Sequence, residues 1–173
     1  MKKGKKIIIG IIVALLVVVL VGYIYLFTGS KIKNVSNDVI KGEEGTKSLV
    51  IYFTRQGEIP GNVDAVSSAT QNSNEGMDGS DTEAAARMIQ SLTGADLYQI
   101  YTEHYYRKSF AGTAATAWIE EQLNLRPKLA AKPDNLDDYD TIYVGYPIWW
   151  DEAPAMIATF LADNDFSGKT IIP

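Results

Sequence analysis

An uninterrupted apolar run near the amino terminus constrains the chain most strongly. The stretch from Ile7 to Phe27 contains no charged side chain. A helix that rises 1.5 Å per residue over about 20 apolar residues can cross a hydrocarbon core of about 30 Å. We therefore expect one transmembrane helix, and we assign residues 1–29 to a lysine flank and a membrane anchor.

Charge on the two sides of this run predicts its orientation. Lys31 and Lys33 follow the run, and four lysines precede it: Lys2, Lys3, Lys5 and Lys6. The excess favours a cytoplasmic N-terminus, with Tyr23 and Tyr25 at the outer interface and the following domain outside the cell membrane. A cleaved signal peptide is the alternative, but its apolar core would span about 7–15 residues. The run is longer, and "LFTGSKIK" offers no A-x-A-like site.

Composition limits the chemistry of the remaining chain. There is no cysteine and a single histidine, His104, which excludes disulfides, thiolate metal sites and cysteine nucleophiles. Removing the four N-terminal lysines from the net charge of −5 leaves −9. An acidic body of this kind argues against nucleic acid as a partner.

Strand-like and helix-like segments alternate after a polar, glycine-punctuated stretch. Residues 30–47 read as a linker rather than a packed element, so residues 48–173 form the domain. Four strands are predicted from apolar runs that begin near Ser48, Ala95, Thr141 and Gly168. A first helix opens near Ser80 to Thr82, closes at Gly94, and turns Ala85, Met88, Ile89 and Leu92 inward. Such alternation predicts a parallel sheet covered by helices on both faces.

Two loops at the carboxyl ends of the strands are the candidate ligand site, because ligands of open parallel sheets bind there. The first strand ends in "TRQG", Thr54 to Gly57, and the helix that follows begins with "GSDTE". Hydroxyls and amides at a helix N-terminus favour an anion, although Ser80 or Asp81 could act simply as the N-cap. The chain has no GxGxxG after the strand and no Walker loop.

The second loop, "YPIWW", carries adjacent tryptophans. Two indoles at a predicted ligand edge favour a planar ligand, and a hydrophobic plug between strand and helix is the alternative.

The remaining polar groups do not indicate a particular site. Glu120-Glu121 and Asp137-Asp138 read as solvated charge, and His104 as a surface loop residue. The segment from Glu58 to Gly79 is either a lid or an excursion without a function.

Several quoted stretches together resemble the flavodoxin-like family, in particular its extracytoplasmic branch with an enlarged first loop. They are "VIYFTR", "DTEAAARMIQSLTGADLYQI", "LDDYDTIYVGYPIWW" and "FLADNDFSGKTIIP". The resemblance implies a three-layer α/β/α fold with a parallel sheet of order 2-1-3-4-5 and noncovalent FMN. The sequence stops within the fourth strand, so we expect strand 5 to be missing from this chain and the cofactor pocket to lack one wall.

The same resemblance implies the cofactor-binding residues. Those for the phosphate are Thr54, Arg55, Gln56, Ser80 and Thr82, and those that border the isoalloxazine ring are Pro147, Ile148, Trp149 and Trp150. No catalytic residue and no metal site is implied. The expected function is electron transfer at the membrane, either as an FMN-dependent NAD(P)H oxidoreductase that reduces a small acceptor or as a carrier for a redox partner protein. A remnant that no longer binds FMN is a third possibility.

Overall fold

The computed structural model describes residues 2–27, 29, 31–33, 35–55, 79–107 and 109–173. Two regions follow one another in the sequence, an N-terminal helix and an α/β unit. The helices are α1 (Lys2–Phe27), α2 (Asp81–Thr93), α3 (Phe110–Gln122) and α4 (Ala155–Ala162), with a short 3-10 helix at Leu136–Asp138. The strands are β1 (Ser48–Tyr52), β2 (Asp96–Gln99), β3 (Thr141–Gly145) and β4 (Thr170–Ile172).

The strands form one parallel sheet in the order β2-β1-β3-β4. In the centre of the sheet Val50 lies beside Leu97 on one side and beside Tyr143 on the other. Leu49, Val50 and Ile51 of β1 are at most 1% exposed, as expected of a strand with both faces covered. The predicted flavodoxin-like α/β fold and its strand order 2-1-3-4 are confirmed.

Side chains that alternate along β1 divide the interior into two cores. Leu49, Ile51 and Phe53 pack with Met156 and Phe160 on one face of the sheet. Val50 and Tyr52 pack with Ala86 and Leu97 on the other. Because successive residues of a strand point to opposite faces, the aromatic cluster of the first core lies on the same face as α4, and α2 covers the opposite face.

The limits of α2 follow the prediction, but its inward face does so only at Ile89, which packs against the second core. Ser80 is the N-cap, and Gly94 ends the helix with a φ of 67°, a left-handed conformation in which glycine has no steric cost. Ala84 and Ala86 are the buried side chains, whereas Met88 is 41% and Leu92 84% exposed. The run of three alanines at 84–86 fits more than one helical phase, so apolar spacing could not define the buried face. In α4, Ile157 and Phe160 are buried and Leu161 is 38% exposed.

The segment predicted as a free linker packs against the domain. Ile40 pairs in antiparallel fashion with Leu97 through two backbone hydrogen bonds of 2.8 Å. The carboxylate of Asp96 accepts hydrogen bonds from the Gly42 amide (2.8 Å) and from Lys41 Nζ (2.9 Å). A sheet edge offers unpaired backbone groups, and β2 lies at such an edge. The tether interpretation is therefore wrong for these residues, while the boundaries 1–29, 30–47 and 48–173 stay predictions.

Helix α1 contains the predicted apolar segment and exposes it along its length. Among the described residues, one stretch, Gly4–Ile24, is long and apolar enough to cross a membrane. Length and composition of this kind are shared by membrane anchors and by signal sequences near an N-terminus. The segment that follows α1 returns to the domain, where Lys31 pairs with His104 through the backbone and with the Glu103 carboxylate through its ammonium group.

Candidate cofactor site

The carboxyl ends of the central strands bring the two predicted loops together. Phe53 N donates to Gly145 O (2.9 Å), and Ile100 N donates to Tyr52 O (2.7 Å). The sheet thus continues for one residue beyond β1 and β2 before the chain turns away. The segment that begins at Thr54 and the segment that follows Gly145 therefore leave the sheet side by side, as the rule for parallel sheets predicts.

Thr54 and Ser80 form the polar floor of the first loop. Both side chains are fully buried, and their hydroxyl oxygens are 2.5 Å apart. Ser80 also accepts a hydrogen bond from Glu83 N (3.2 Å), so it is the N-cap of α2. Thr82 lies in the first turn of α2, and its methyl group would be 3.9 Å from a Cβ added at Gly145. Gln56, also assigned to the phosphate, lies outside the described residues, as do residues 58–78 of the predicted lid or excursion.

Arg55 is the residue of the first loop that lies beside the second loop. Its side chain is 3% exposed, and Nη2 donates to the carbonyl of Arg107 at 2.6 Å. Together with four residues of the second loop, namely Pro147, Ile148, Trp149 and Trp150, it lines a cavity of about 320 Å³. The structure therefore places one predicted phosphate ligand and all the predicted ring-bordering residues around the same space. This volume lies at the lower end of the range typical of small-molecule sites, about 300–1,000 Å³.

The two tryptophans have different surroundings. The ring of Trp149 packs edge-to-face against Phe53 (centroids 5.4 Å apart, planes at 90°) and against Tyr106 (5.2 Å, 82°). Trp149 thus resembles the plug between strand and helix that the sequence left open as the alternative. Trp150 is 52% exposed and donates from Nε1 to Ala114 O at 2.9 Å. Trp150 and Ile148, which is 65% exposed, offer the accessible apolar surface of the cavity.

A tight turn at residues 149–152 orients Trp150. Trp149 and Glu152 exchange backbone hydrogen bonds of 2.9 and 3.0 Å. Between them, Trp150 and Asp151 have φ values of 50° and 68°. Positive φ at both central residues is the type I′ geometry that Asn-Gly usually occupies. A bulky side chain here is therefore held in a costly conformation.

The sequence did not reveal that α3 forms the other wall of the cavity. Phe110, Thr113, Ala114 and Ala117 line it. The stretch "AGTAATA" at 111–117 contains only small side chains, which leave room beside the second loop. Thr113 Oγ1 donates to the carbonyl of Arg107 at 2.7 Å, the same oxygen that receives Arg55. A run of small residues is a weak signal, because it also fits close helix packing.

Glu120 is buried, so the prediction that it is a solvated charge is wrong. Its side chain is 4% exposed rather than solvated, and Tyr106 Oη donates to Oε2 at 2.8 Å. Burial raises the pKa of this carboxyl to about 7, and the Tyr106 hydrogen bond opposes the rise only in part. No local pattern indicates this burial, because the partner of Glu120 is Tyr106, a residue of the loop after β2. Its neighbour Glu121 is partly exposed.

The residues present fit a flavin nucleotide in their chemistry. A buried guanidinium and the N-terminus of α2 suit a phosphate, and the apolar surface of Ile148 and Trp150 suits a flat ring.

Comparisons with known proteins agree with the fold. The family model for flavodoxin matches residues 76–173, more than half of the chain. A candidate flavoprotein from Bacteroides uniformis ATCC 8492 is similar at 31% identity and a TM-score of 0.56, over 75% of this chain and 71% of that chain. Another from Bacteroides eggerthii DSM 20697 has 29% identity and a TM-score of 0.56, over 74% and 69%. The comparison with curated proteins gives no match. The chain belongs to the flavodoxin-like family of flavoproteins.

Proposed function

We propose that this protein is an FMN-binding electron-transfer flavoprotein held at the cell membrane by α1. The observation that carries the proposal is the cavity in which Arg55 meets Ile148, Trp149 and Trp150. The family supplies the expectation of a flavin, and this cavity supplies both an anion-binding group and apolar surface for one. Bound FMN would supply the redox chemistry, while the protein supplies position and electrostatics.

The residues of the site have distinct roles in this proposal. Arg55, Gln56 and the hydroxyls of Thr54, Ser80 and Thr82 hold the phosphate at the N-terminus of α2. Pro147 and Trp149 border the ring, and Ile148 and Trp150 cover it. Asp81 opposes the phosphate, because its carboxylate lies in the first turn of the same helix.

FMN binding is tested with the full chain in detergent, by titrating FMN and following its fluorescence and the tryptophan emission. Arg55→Ala and Trp150→Ala should each weaken binding at least tenfold. Asp81→Asn should strengthen it, because it removes a negative charge beside the phosphate. Arg87→Ala is the matched control, since Arg87 is an exposed arginine of α2 paired with Glu83. Absence of binding, or equal loss in the control and in Arg55→Ala, would overturn the proposal.

Electron transfer has two forms that kinetics separates. As an oxidoreductase, the protein would pass electrons from NADH or NADPH through FMN to a small acceptor such as a quinone. As a carrier, it would exchange electrons with a redox partner protein through its acidic surface. Steady-state turnover with NADH or NADPH and a quinone alone would support an oxidoreductase. Turnover that requires an added partner protein would support an electron carrier. The acidic body should also lower the reduction potential of bound FMN relative to free FMN, since it disfavours further negative charge on the reduced flavin.

A further inference from the structure

A second cavity lies beside α3 and shares no lining residue with the candidate cofactor site. It has a volume of about 390 Å³. Tyr106, Leu125 and Pro127 provide its apolar wall, and Glu120, Arg126 and Lys128 its charged or acidic groups. A mostly apolar space with a few convergent polar groups is the usual form of a small-molecule site.

Glu120 lines this cavity, and one of its two carboxyl oxygens is hydrogen-bonded. Tyr106 Oη donates a hydrogen bond to Oε2 of Glu120. Oε1 of Glu120 makes no hydrogen bond with another described residue. The side chain is 4% exposed, and burial raises its pKa to about 7. Below that pH the carboxyl is neutral and can donate a hydrogen bond from the free oxygen. Glu120 and Arg126 also line a smaller adjoining cavity of about 180 Å³.

Two cationic side chains line the cavity although the chain is acidic. Arg126 and Lys128 are exposed there, and neither forms a salt bridge with another described residue. Glu103 also lines the cavity, but its carboxylate is paired with Lys31. Two exposed cations without a salt bridge to a described residue favour an anionic ligand, and the planar fork of an arginine matches a carboxylate in particular.

We propose that this cavity binds a small aromatic carboxylate. The carboxylate pairs with Arg126 and Lys128, the ring lies against Tyr106 and Leu125, and a hydroxyl or carbonyl group at the opposite end of the ligand bonds with Glu120. The apolar wall accounts for the aromatic ring of the ligand, and the two cations account for its carboxylate. The second carboxyl oxygen of Glu120 accounts for a polar group at the other end of the ligand. The site uses none of the residues assigned to FMN, so it stands whether or not FMN binds.

Isothermal titration calorimetry on the full chain in detergent at pH 6 tests the proposal. We expect 4-hydroxybenzoate to bind more tightly than benzoate, and phenol, which lacks the anion, to bind at least tenfold more weakly. Arg126→Ala should weaken binding of 4-hydroxybenzoate at least tenfold. Arg87→Ala, which removes an exposed arginine from α2, should leave it unchanged. No heat of binding at millimolar ligand, or equal affinity in wild type and Arg126→Ala, would overturn the proposal.

A pH series provides a second and independent readout. Loss of the Glu120 proton above pH 7 places a negative charge in the cavity, so the affinity of the wild type should fall from pH 6 to pH 8. Glu120→Gln should bind equally well at both. The other titratable groups that line this cavity are Tyr23 of α1, the sequence neighbours Glu103, His104, Tyr105 and Tyr106, and Lys128. Glu121 and Glu152 line the adjoining one.

His104 also lines this cavity, so His104→Gln is measured in parallel as a control. The fall in affinity should persist in His104→Gln and disappear in Glu120→Gln. A fall that persists in Glu120→Gln would contradict the role of this carboxyl. Thermal melts of each variant show whether it is folded, and the isosteric change at Glu120 keeps the hydrogen bond with Tyr106.

Discussion

At the scale of single residues, the turn that presents Trp150 has a conformational cost. Asp151 has a φ of 68°, where most residues with a Cβ lose about 1–2 kcal/mol and aspartate somewhat less. Asp151→Gly should raise the free energy of unfolding by about 0.5–1 kcal/mol, because glycine adopts this conformation without strain. The matched control is Asp163→Gly, at a φ of −88°, which should destabilise. Urea denaturation of both variants checks the pair, and equal signs would contradict the strain argument.

Glu120 makes stability depend on pH in a defined range. Its pKa is raised from 4.5 to about 7 in the folded protein. This contribution to stability is fully present below the unfolded pKa and is lost as pH rises through the folded one. We expect a loss of about 3 kcal/mol between pH 4.5 and pH 7. Glu120→Gln should remove most of this slope and be more stable than the wild type at pH 8. Denaturant melts across this range provide the measurement, and parallel curves for the two proteins would contradict the prediction.

At the scale of elements, residues 40–42 protect the exposed edge of β2. Burial alone would raise the pKa of Asp96, but hydrogen bonds from Tyr139, Gly42 and Lys41 outweigh it and hold the pKa below its usual value. A lowered folded pKa stabilises the protein above the unfolded pKa, and this contribution is lost as pH falls through the folded value. Asp96→Asn should therefore cost about 1–3 kcal/mol at pH 7 and much less near pH 3.

Amide hydrogen exchange shows whether this loss is local to the docked segment. In Asp96→Asn the amides of Ile40, Gly42 and Leu97 should exchange faster, because the anchor of the segment is weakened. Lys41→Ala should cost less than about 1 kcal/mol, since its ammonium group is exposed. Asp137→Asn, at an exposed position outside this network, serves as the control. Unchanged exchange at the three amides in Asp96→Asn would show that the carboxylate does not hold the segment.

The sequence was sufficient for elements whose signals are local. Strand β1 is a continuous apolar run, and the ends of α2 are marked by Ser80 and Gly94, so both could be located from the chain alone. The buried face of α2 could not be located in this way, because three consecutive alanines at 84–86 are compatible with several orientations of the helix. The docking of residues 40–42 could not be predicted for a different reason. It depends on backbone hydrogen bonds to β2 and on the buried carboxylate of Asp96, and neither leaves a hydrophobic period.

At the scale of the whole molecule, topology located the candidate site better than side-chain type did. Parallel strands direct their carboxyl ends to one edge, and this rule correctly placed Arg55 beside the loop that contains Trp150. The roles within the loop depended on long-range contacts. Trp149 joins Phe53 and Tyr106, and Tyr106 in turn buries Glu120. Residues far apart in the sequence form this cluster, so no local pattern could assign its members.

The absence of cysteine from the sequence makes the arrangement of the chain in the membrane directly testable. Single cysteines are introduced as Lys5→Cys, before the apolar segment, and as Ser167→Cys, at an exposed position of the domain. The excess of lysines before α1 predicts a cytoplasmic N-terminus. A membrane-impermeant maleimide should therefore label Ser167→Cys in intact cells and Lys5→Cys only after permeabilisation.

The size and location of the labelled protein separate an anchor from a signal sequence. An anchored chain keeps its full mass in the membrane fraction, and both cysteine variants are recovered from it. A cleaved chain would lose the Lys5→Cys label together with the N-terminal segment and appear as a shorter product outside the membrane fraction. Labelling of Lys5→Cys in intact cells would instead reverse the predicted orientation. Since Lys31 and Ile32 pack on the domain soon after α1 ends, an uncleaved helix would hold the α/β unit close to the membrane surface.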